Sequence, residues 1–205
     1  MAAEAKRPGT ARGGHSGGRG AGAAIRRTAL LAAVLLLPGA CSLFEDEGPP
    51  PPCPPIAAPS DTDHLTRFDG AGRDLTDVLF QARLLSVADS CSYERDDTLI
   101  ESSLLITFEI ERGPALRRLQ SRDPSAGASF TYFVAVARNE EEPRILSREA
   151  FDVQARFEGN RGRIALADEI APRIPLGPGE DGRDYRIYVG IELNAAELEY
   201  NRQER

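Results

Sequence analysis

Residues 100–110 read Ile-Glu-Ser-Ser-Leu-Leu-Ile-Thr-Phe-Glu-Ile. Apolar side chains occupy five of the six even-numbered positions, and the positions between them carry mainly Glu, Ser and Thr. Successive side chains of a β-strand point to opposite faces, so this alternation predicts a strand with one buried face and one face in water. The 3.6-residue period of an amphipathic helix does not occur in this stretch.

The same period of two residues recurs on both sides of this stretch. Residues 130–137 are apolar on both faces, as expected for a central strand. In another segment the alternation slips at Leu84-Leu85, which predicts a β-bulge. The strands predicted in this way cover residues 78–85, 100–110, 130–137, 151–157, 163–167 and 185–193.

Glycine and proline divide these strands. Residues 159–162, Gly-Asn-Arg-Gly, tolerate positive φ and predict a hairpin connection between the strands on either side. Six or seven strands with turn signals and no helical spacer predict an all-β protein, an antiparallel β-sandwich of immunoglobulin-like type. A small β-barrel is the alternative fold. The chain has no tryptophan, so the Cys-Trp-Cys pattern of antibody domains is missing.

The last element predicted is a short C-terminal helix. Asn194 is suited to cap its first turn, and Glu197 lies three residues later, as in a capping box. Leu198 and Tyr200 then either pack on the sandwich or form a docking surface, and packing is the favoured expectation.

Residues 1–40 have the order of a secretory signal peptide. A basic stretch ends at Arg26-Arg27, a ten-residue apolar run follows over 28–37, and small residues lead to Cys41. An apolar run of that length is about half of what a helix needs to cross the hydrocarbon layer. We therefore expect residues 1–40 to be removed rather than to anchor the chain.

The residues Leu-Pro-Gly-Ala-Cys at 37–41 resemble the lipobox of bacterial lipoproteins, although Pro38 stands where that family carries leucine. The resemblance implies cleavage before Cys41 and acylation of Cys41, with the membrane as a partner through the lipid. Since Ser42 rather than aspartate follows, it also implies the inner leaflet of the outer membrane, facing the periplasm. The periplasmic face of the inner membrane, or a soluble periplasmic protein cut near Cys41, are the alternatives.

Residues 41–60 are interpreted as the lipidated N-terminus and a proline-rich stalk, and residues 61–205 as the β-sandwich domain. Seven prolines in residues 42–59 favour an extended polyproline II conformation. Cys53 in the stalk and Cys91 after the first predicted strand are the only other cysteines. Export to an oxidising compartment predicts a disulfide bond between them.

Charge is distributed unevenly along the chain. The first 40 residues carry six basic side chains and one acidic, whereas the rest carries 19 basic and 31 acidic, a net charge of -12. An acidic exported portion repels phosphates, which argues against nucleic acid as a partner.

No motif in the sequence indicates catalysis, and we expect no catalytic residue, metal or cofactor. His64 is the only histidine after the predicted signal peptide and is interpreted as a surface residue. Residues 177–182 match the letters of a dinucleotide-binding motif, but Glu180 and Asp181 repel phosphate and a predicted strand follows, so a turn is expected. The acidic clusters at 61–69 and 94–97 lack the spacing of a calcium-binding loop.

The lipobox, the proline-rich stalk and the small acidic β domain together resemble uncharacterised lipoproteins of the alphaproteobacterial envelope. This resemblance carries no activity. We expect a non-enzymatic domain that binds an envelope protein in an assembly or scaffolding role. A binding module for a small ligand or cell-wall glycan is the alternative, with Tyr93, Tyr188 and Tyr200 as its candidate aromatic residues.

Overall fold

A computed structural model describes residues 49–204, so the predictions for the signal peptide and Cys41 lie outside the described residues. The described part of the chain contains no helix long and apolar enough to cross a membrane. Its α-helices are α1 (Pro114–Gln120) and α2 (Ala195–Gln203). Its strands are β1 (Ile56–Ala57), β2 (His64–Phe68), β3 (Val78–Glu94), β4 (Leu99–Arg112), β5 (Ala128–Arg138), β6 (Ile145–Ala155), β7 (Arg163–Ile170), β8 (Arg173–Pro175) and β9 (Tyr185–Ile191).

The strands form two sheets of a β-sandwich. Sheet A has the order β1-β9-β5-β6, and sheet B has the order β2-β3-β4-β7, with β8 pairing beside β7 on β4. All pairs are antiparallel except β1 with β9. Neither sheet closes on itself in the described residues, so the predicted sandwich is confirmed and the barrel alternative is wrong. The immunoglobulin-like type stays a prediction.

Strands β3 and β4 form the long hairpin at the centre of sheet B. The inward side chains of β4, among them Ile100, Leu104 and Phe108, are fully buried, as the alternation predicts. Its outward glutamates pair with neighbouring arginines, for example Glu109 with Arg83 at 2.8 Å. The β3–β4 register shifts between Leu84 and Ser86, which confirms the predicted bulge.

Aromatic rings join the two sheets in the core. Phe108 of sheet B lies 5.4 Å from Phe130 and 5.0 Å from Tyr132 of sheet A, measured between ring centroids. Phe151 on β6 stacks on Tyr132 at 5.2 Å. This packing removes apolar surface from both inner faces and holds β6 to the sandwich at its C-terminal half.

The connection over residues 159–162 is not a hairpin, contrary to the prediction. It joins β6 of sheet A to β7 of sheet B and therefore crosses between the sheets. Gly159 has a φ of 56°, so the turn chemistry was identified correctly. The strand that follows the turn was predicted wrongly, because contacts with β4 direct the chain to sheet B. The backbone N–H of Arg112 donates to Gly162 O at 2.7 Å, and the buried Phe157 ring packs beside the Arg112 guanidinium.

The proline-rich segment joins the domain before residue 61. Cys53 forms a disulfide bond with Cys91 on β3, as predicted, with 5.8 Å between their Cα atoms. β1 then pairs in parallel with β9, Ile56 lying opposite Ile187. A parallel strand this short carries no alternation in sequence, so period-two analysis does not detect it.

Both helices pack on the sandwich. Helix α2 begins at the predicted cap, where the Asn194 side chain accepts hydrogen bonds from the N–H groups of Ala196 and Glu197 at 3.0 Å. The ring of Tyr200 packs edge-on against Phe68 at 5.1 Å, which confirms the packing expectation for that residue. Helix α1 was not predicted, although Pro114 at its first turn is a helix-start signal.

Candidate functional site

Strand β6 forms a free edge of sheet A. It pairs with β5 from Ala128 opposite Ala155 to Ala137 opposite Ile145, with a bulge at Leu146, which has no residue opposite it on β5. On its other side, β6 has no strand partner among residues 49–204. Such an edge presents unpaired backbone N–H and C=O groups that a further strand can satisfy.

The N-terminal half of β6 is exposed on both faces. All six residues from Ile145 to Ala150 are exposed, in contrast to Val153 and Ala155, which are buried. Two large apolar side chains lie in this exposed half, Ile145 at 53% and Leu146 at 44% of their maximal exposure. Native edges are normally protected by charged residues, proline, bulges or a covering element, and β6 carries both charged residues and the bulge at Leu146. Its two exposed aliphatic residues are nevertheless a feature to explain.

A cleft of about 240 Å³ opens beside this edge, between β6 and the end of β7. Its lining is mixed, with apolar side chains from both sheets and polar groups from one serine and two glutamates. Side chains from both sheets contribute, so the cleft lies where the sandwich opens at its side. The lining residues are Val134, Val136, Ser147, Glu149, Phe151, Glu169, Ile170, Ala171 and Pro172.

A hydrogen bond joins the two sheets next to the cleft. Phe151, which lines it, stacks on the fully buried Tyr132. The Tyr132 hydroxyl donates to a carboxylate oxygen of Asp168 on β7 at 2.7 Å. Burial, and then this hydrogen bond, raise the pKa of Tyr132 above its usual value, so its hydroxyl remains a donor at neutral pH.

Charged side chains line the outward face of β6. The Arg148 guanidinium lies 2.7 Å from a carboxylate oxygen of Glu192 and 4.5 Å from the centre of the Phe133 ring. Further along the strand, Asp152 accepts a hydrogen bond from the Thr131 hydroxyl at 2.8 Å. One basic and one acidic group therefore lie at fixed positions on the same face of the free edge.

Two other cavities are more polar. The larger of the two, about 370 Å³, lies over the outward face of sheet B and is lined by charged groups that pair with one another, including Arg163 with Glu111 at 2.7 Å. A cavity of about 140 Å³ beside α2 is lined by Arg67, Arg73 and Tyr200 among others. We favour the β6 cleft because it lies beside an unpaired strand edge and is the least polar of the three.

The three candidate tyrosines do not form a common surface. Tyr93 accepts a hydrogen bond from the Gly182 N–H and donates one to the Pro52 carbonyl, both at 2.8 Å. Tyr200 packs on Phe68, as described above. Tyr188 lies half-buried on β9. Two of the three rings therefore have structural contacts within the domain, which weakens the case for an aromatic ligand platform.

Residues 177–182 form a turn followed by β9, as predicted. The Glu180 carboxylate accepts hydrogen bonds from the Tyr185 hydroxyl and the Gly177 N–H, and it pairs with Arg138 at 2.7 Å. The Tyr185 hydroxyl, Arg138 and the Gly177 N–H lower the pKa of Glu180 to about 2. The carboxylate organises this turn from within.

His64 begins β2, and its Nδ1 lies 2.6 Å from a carboxylate oxygen of Asp63. Within residues 49–204, no three His, Cys, Asp or Glu side chains come together in a way that would hold a metal ion. The acidic residue Asp61 instead pairs with Arg202 of α2 at 3.2 Å.

The sequence predicted the C-terminal half of β6 but missed the exposed half that forms the site. Residues 145–150 read Ile-Leu-Ser-Arg-Glu-Ala and do not alternate between apolar and polar. Two adjacent aliphatic residues followed by charges offer no strand signal, because neither face of this half is buried. The one signal in the sequence was the long interval between the predicted strands at 130–137 and 151–157, which leaves room for a longer second strand.

Comparison of the chain with protein-family models, with curated proteins and with solved structures finds no match in any of the three.

Proposed function

We propose that this chain is a lipid-anchored protein of the periplasmic side of the cell envelope, whose β-sandwich binds another protein molecule along the free edge of β6. The observation that carries the proposal is this edge, exposed on both faces over residues 145–150 and flanked by a cleft with a partly apolar lining. Strand addition at such an edge satisfies backbone groups, while the cleft receives side chains of the added strand.

The anchor part of the proposal is supported by the sequence. Cys41 follows the lipobox-like residues, and stable anchoring requires two or more acyl chains. Because Pro52 and Cys53 are bonded to the domain, the tether would consist of residues 42–51. Ten residues in polyproline II conformation would span about 31 Å.

Binding of a glycan or small ligand is the second candidate. Aromatic rings in a concave pocket would support it, but Phe151 is the only ring that lines the β6 cleft. Carbohydrate sites typically use exposed rings, whereas Tyr93 is hydrogen-bonded and Tyr200 is packed against Phe68 within the domain. The exposed aliphatic pair at Ile145 and Leu146 is the kind of surface that protein partners cover.

The binding site is tested by site-specific photocrosslinking in the native envelope. A photoreactive amino acid replaces Leu146 on β6 and, in the matched control, Leu119 on α1, which is 43% exposed against 44% for Leu146. We expect a discrete protein adduct from position 146 and none from position 119. Absence of an adduct at 146, or the same adduct at both positions, would contradict the proposed site.

The anchor is tested by fractionation of a Cys41→Ala variant. We expect it to move from the membrane to the soluble periplasmic fraction. The control is the double variant Cys53→Ala/Cys91→Ala, which removes the disulfide but keeps Cys41 and should remain with the membrane. Membrane association of Cys41→Ala equal to that of the unmodified chain would refute the lipid anchor.

A further inference from the structure

We propose that the partner at the β6 edge is a second copy of this chain, paired antiparallel through β6 so that sheet A continues across a twofold axis. This inference rests on the proposed protein-binding function of the edge and names its occupant. The symmetry makes the interface isologous, because both copies use the same surface. If one residue of the first copy contacts a second residue of the other copy, the reverse contact is also made.

The centre of β6 gives the register that we propose. The strand runs from Ile145 to Ala155, and its central residue is Ala150. An antiparallel pair with Ala150 opposite Ala150 of the second copy places residues 147–153 of the two copies opposite one another, clear of the bulge at Leu146.

The register centred on Ala150 is complementary in charge. It places Arg148 of each copy directly opposite Asp152 of the other, so that the outward face carries two symmetric ion pairs. The remaining charged residue of β6, Glu149, lies opposite Phe151, and no two like charges face each other. Opposite charges in directly facing positions stabilise strand pairs, whereas like charges destabilise them.

The neighbouring registers lack this match. A shift of two residues in one direction places Glu149 opposite Glu149 of the second copy. The shift in the other direction places Arg148 opposite Gln154 and pairs no charges. A shift of one residue would place the inward-facing side chains of one copy beside the outward-facing side chains of the other, so that the two sheets would no longer share a buried face. The charge pattern thus selects the register centred on Ala150.

The two charges cannot compensate for one another within a single copy. Arg148 and Asp152 are four residues apart on one strand, about 13 Å at the usual rise per residue. Their contacts within the domain are to different groups, Glu192 and Thr131 respectively. Energetic coupling between positions 148 and 152 would therefore report contact between copies.

The test is a charge-reversal cycle on the full chain in density-matched detergent, read by sedimentation equilibrium. Arg148→Glu alone and Asp152→Arg alone should each raise the dimer dissociation constant about tenfold, because each replaces two attractions by two repulsions. The double variant Arg148→Glu/Asp152→Arg should return to within about threefold of the original value. Arg161→Glu, a charge reversal in the loop between the sheets, should have no effect.

Recovery in the double variant supports the dimer. Within one copy, the glutamate at position 148 of the double variant still repels Glu192, so only the contact with position 152 of the second copy can account for the recovery. A chain that stays monomeric at all concentrations, or a double variant no better than the single ones, would overturn the inference. If the chain is monomeric while position 146 crosslinks to a different protein, the second copy is excluded and the proposed binding edge survives. If it is monomeric and position 146 gives no adduct, both proposals fail.

Discussion

The hydroxyl of Tyr93 donates a hydrogen bond to the carbonyl oxygen of Pro52 at 2.8 Å. The same hydroxyl accepts a hydrogen bond from the N–H of Gly182 at 2.8 Å, so one side chain of β3 joins the N-terminal segment to the loop before β9. A Cβ atom at Gly182 would lie 2.1 Å from the Pro52 oxygen, which shows how closely the two backbones approach. The Cys53–Cys91 disulfide lies beside this contact in sequence.

Removal of the Tyr93 hydroxyl should destabilise the domain. Tyr93→Phe keeps the ring but leaves the Pro52 carbonyl and the Gly182 N–H without this partner, and we expect the free energy of unfolding to fall by about 1 kcal/mol. The measurement is urea denaturation. Tyr188→Phe is the control, since the Tyr188 hydroxyl has no hydrogen bond within the described residues, and it should change stability little. Equal effects of both substitutions would contradict the joining role of Tyr93.

Loss of the disulfide should have a larger effect. The bond joins residues 38 positions apart, and in the chain-entropy model a closed loop of that length stabilises the folded state by about 4 kcal/mol. We therefore expect Cys53→Ala/Cys91→Ala to unfold at much lower urea concentration than the oxidised chain. Reductant should lower the stability of the unmodified chain and leave that of the double variant unchanged. Insensitivity of the unmodified chain to reductant would contradict the prediction.

The Glu180 carboxylate should make stability depend on pH in the acid range. Its pKa is lowered from 4.5 to about 2 in the folded protein, chiefly by the Tyr185 hydroxyl and Arg138. A lowered pKa means that the contribution is fully present above pH 4.5 and is lost as pH falls towards 2. In Glu180→Gln this component should be absent, so its stability should fall less between pH 5 and pH 3 in urea titrations. Parallel pH profiles for the two proteins would show that the carboxylate is not coupled to folding.

Local patterns in the sequence predicted most of the fold. The alternation around Leu104 and Phe108 identified the strand at the centre of sheet B because one face of that strand is buried along its length. The slip at Leu84-Leu85 and the cap at Asn194 were also correct, since bulges and caps depend on residues within one short segment.

The Cys53–Cys91 disulfide was predicted from the cysteine count, but other features that depend on distant contacts were missed. Ile56–Ala57 pairs with β9 in a segment that the disulfide and the Tyr93 contact attach to the domain. The turn at Gly159 was identified, but a turn signal does not specify which sheet the chain enters next. The exposed half of β6 was missed for the same reason: its strand conformation comes from pairing with β5, and no buried face marks it in the sequence.

The most direct test of the β6 edge as the binding site is backbone amide hydrogen exchange. Exchange rates of the full chain are measured in two samples, one extracted from native membranes and one purified and then diluted. We expect amides of residues 145–152 to exchange more slowly in the native extract, while those of β2, an edge strand of sheet B that contributes no residue to the cleft, exchange at the same rate in both samples. Unchanged exchange over residues 145–152, or slowing confined to β2, would contradict binding at the β6 edge.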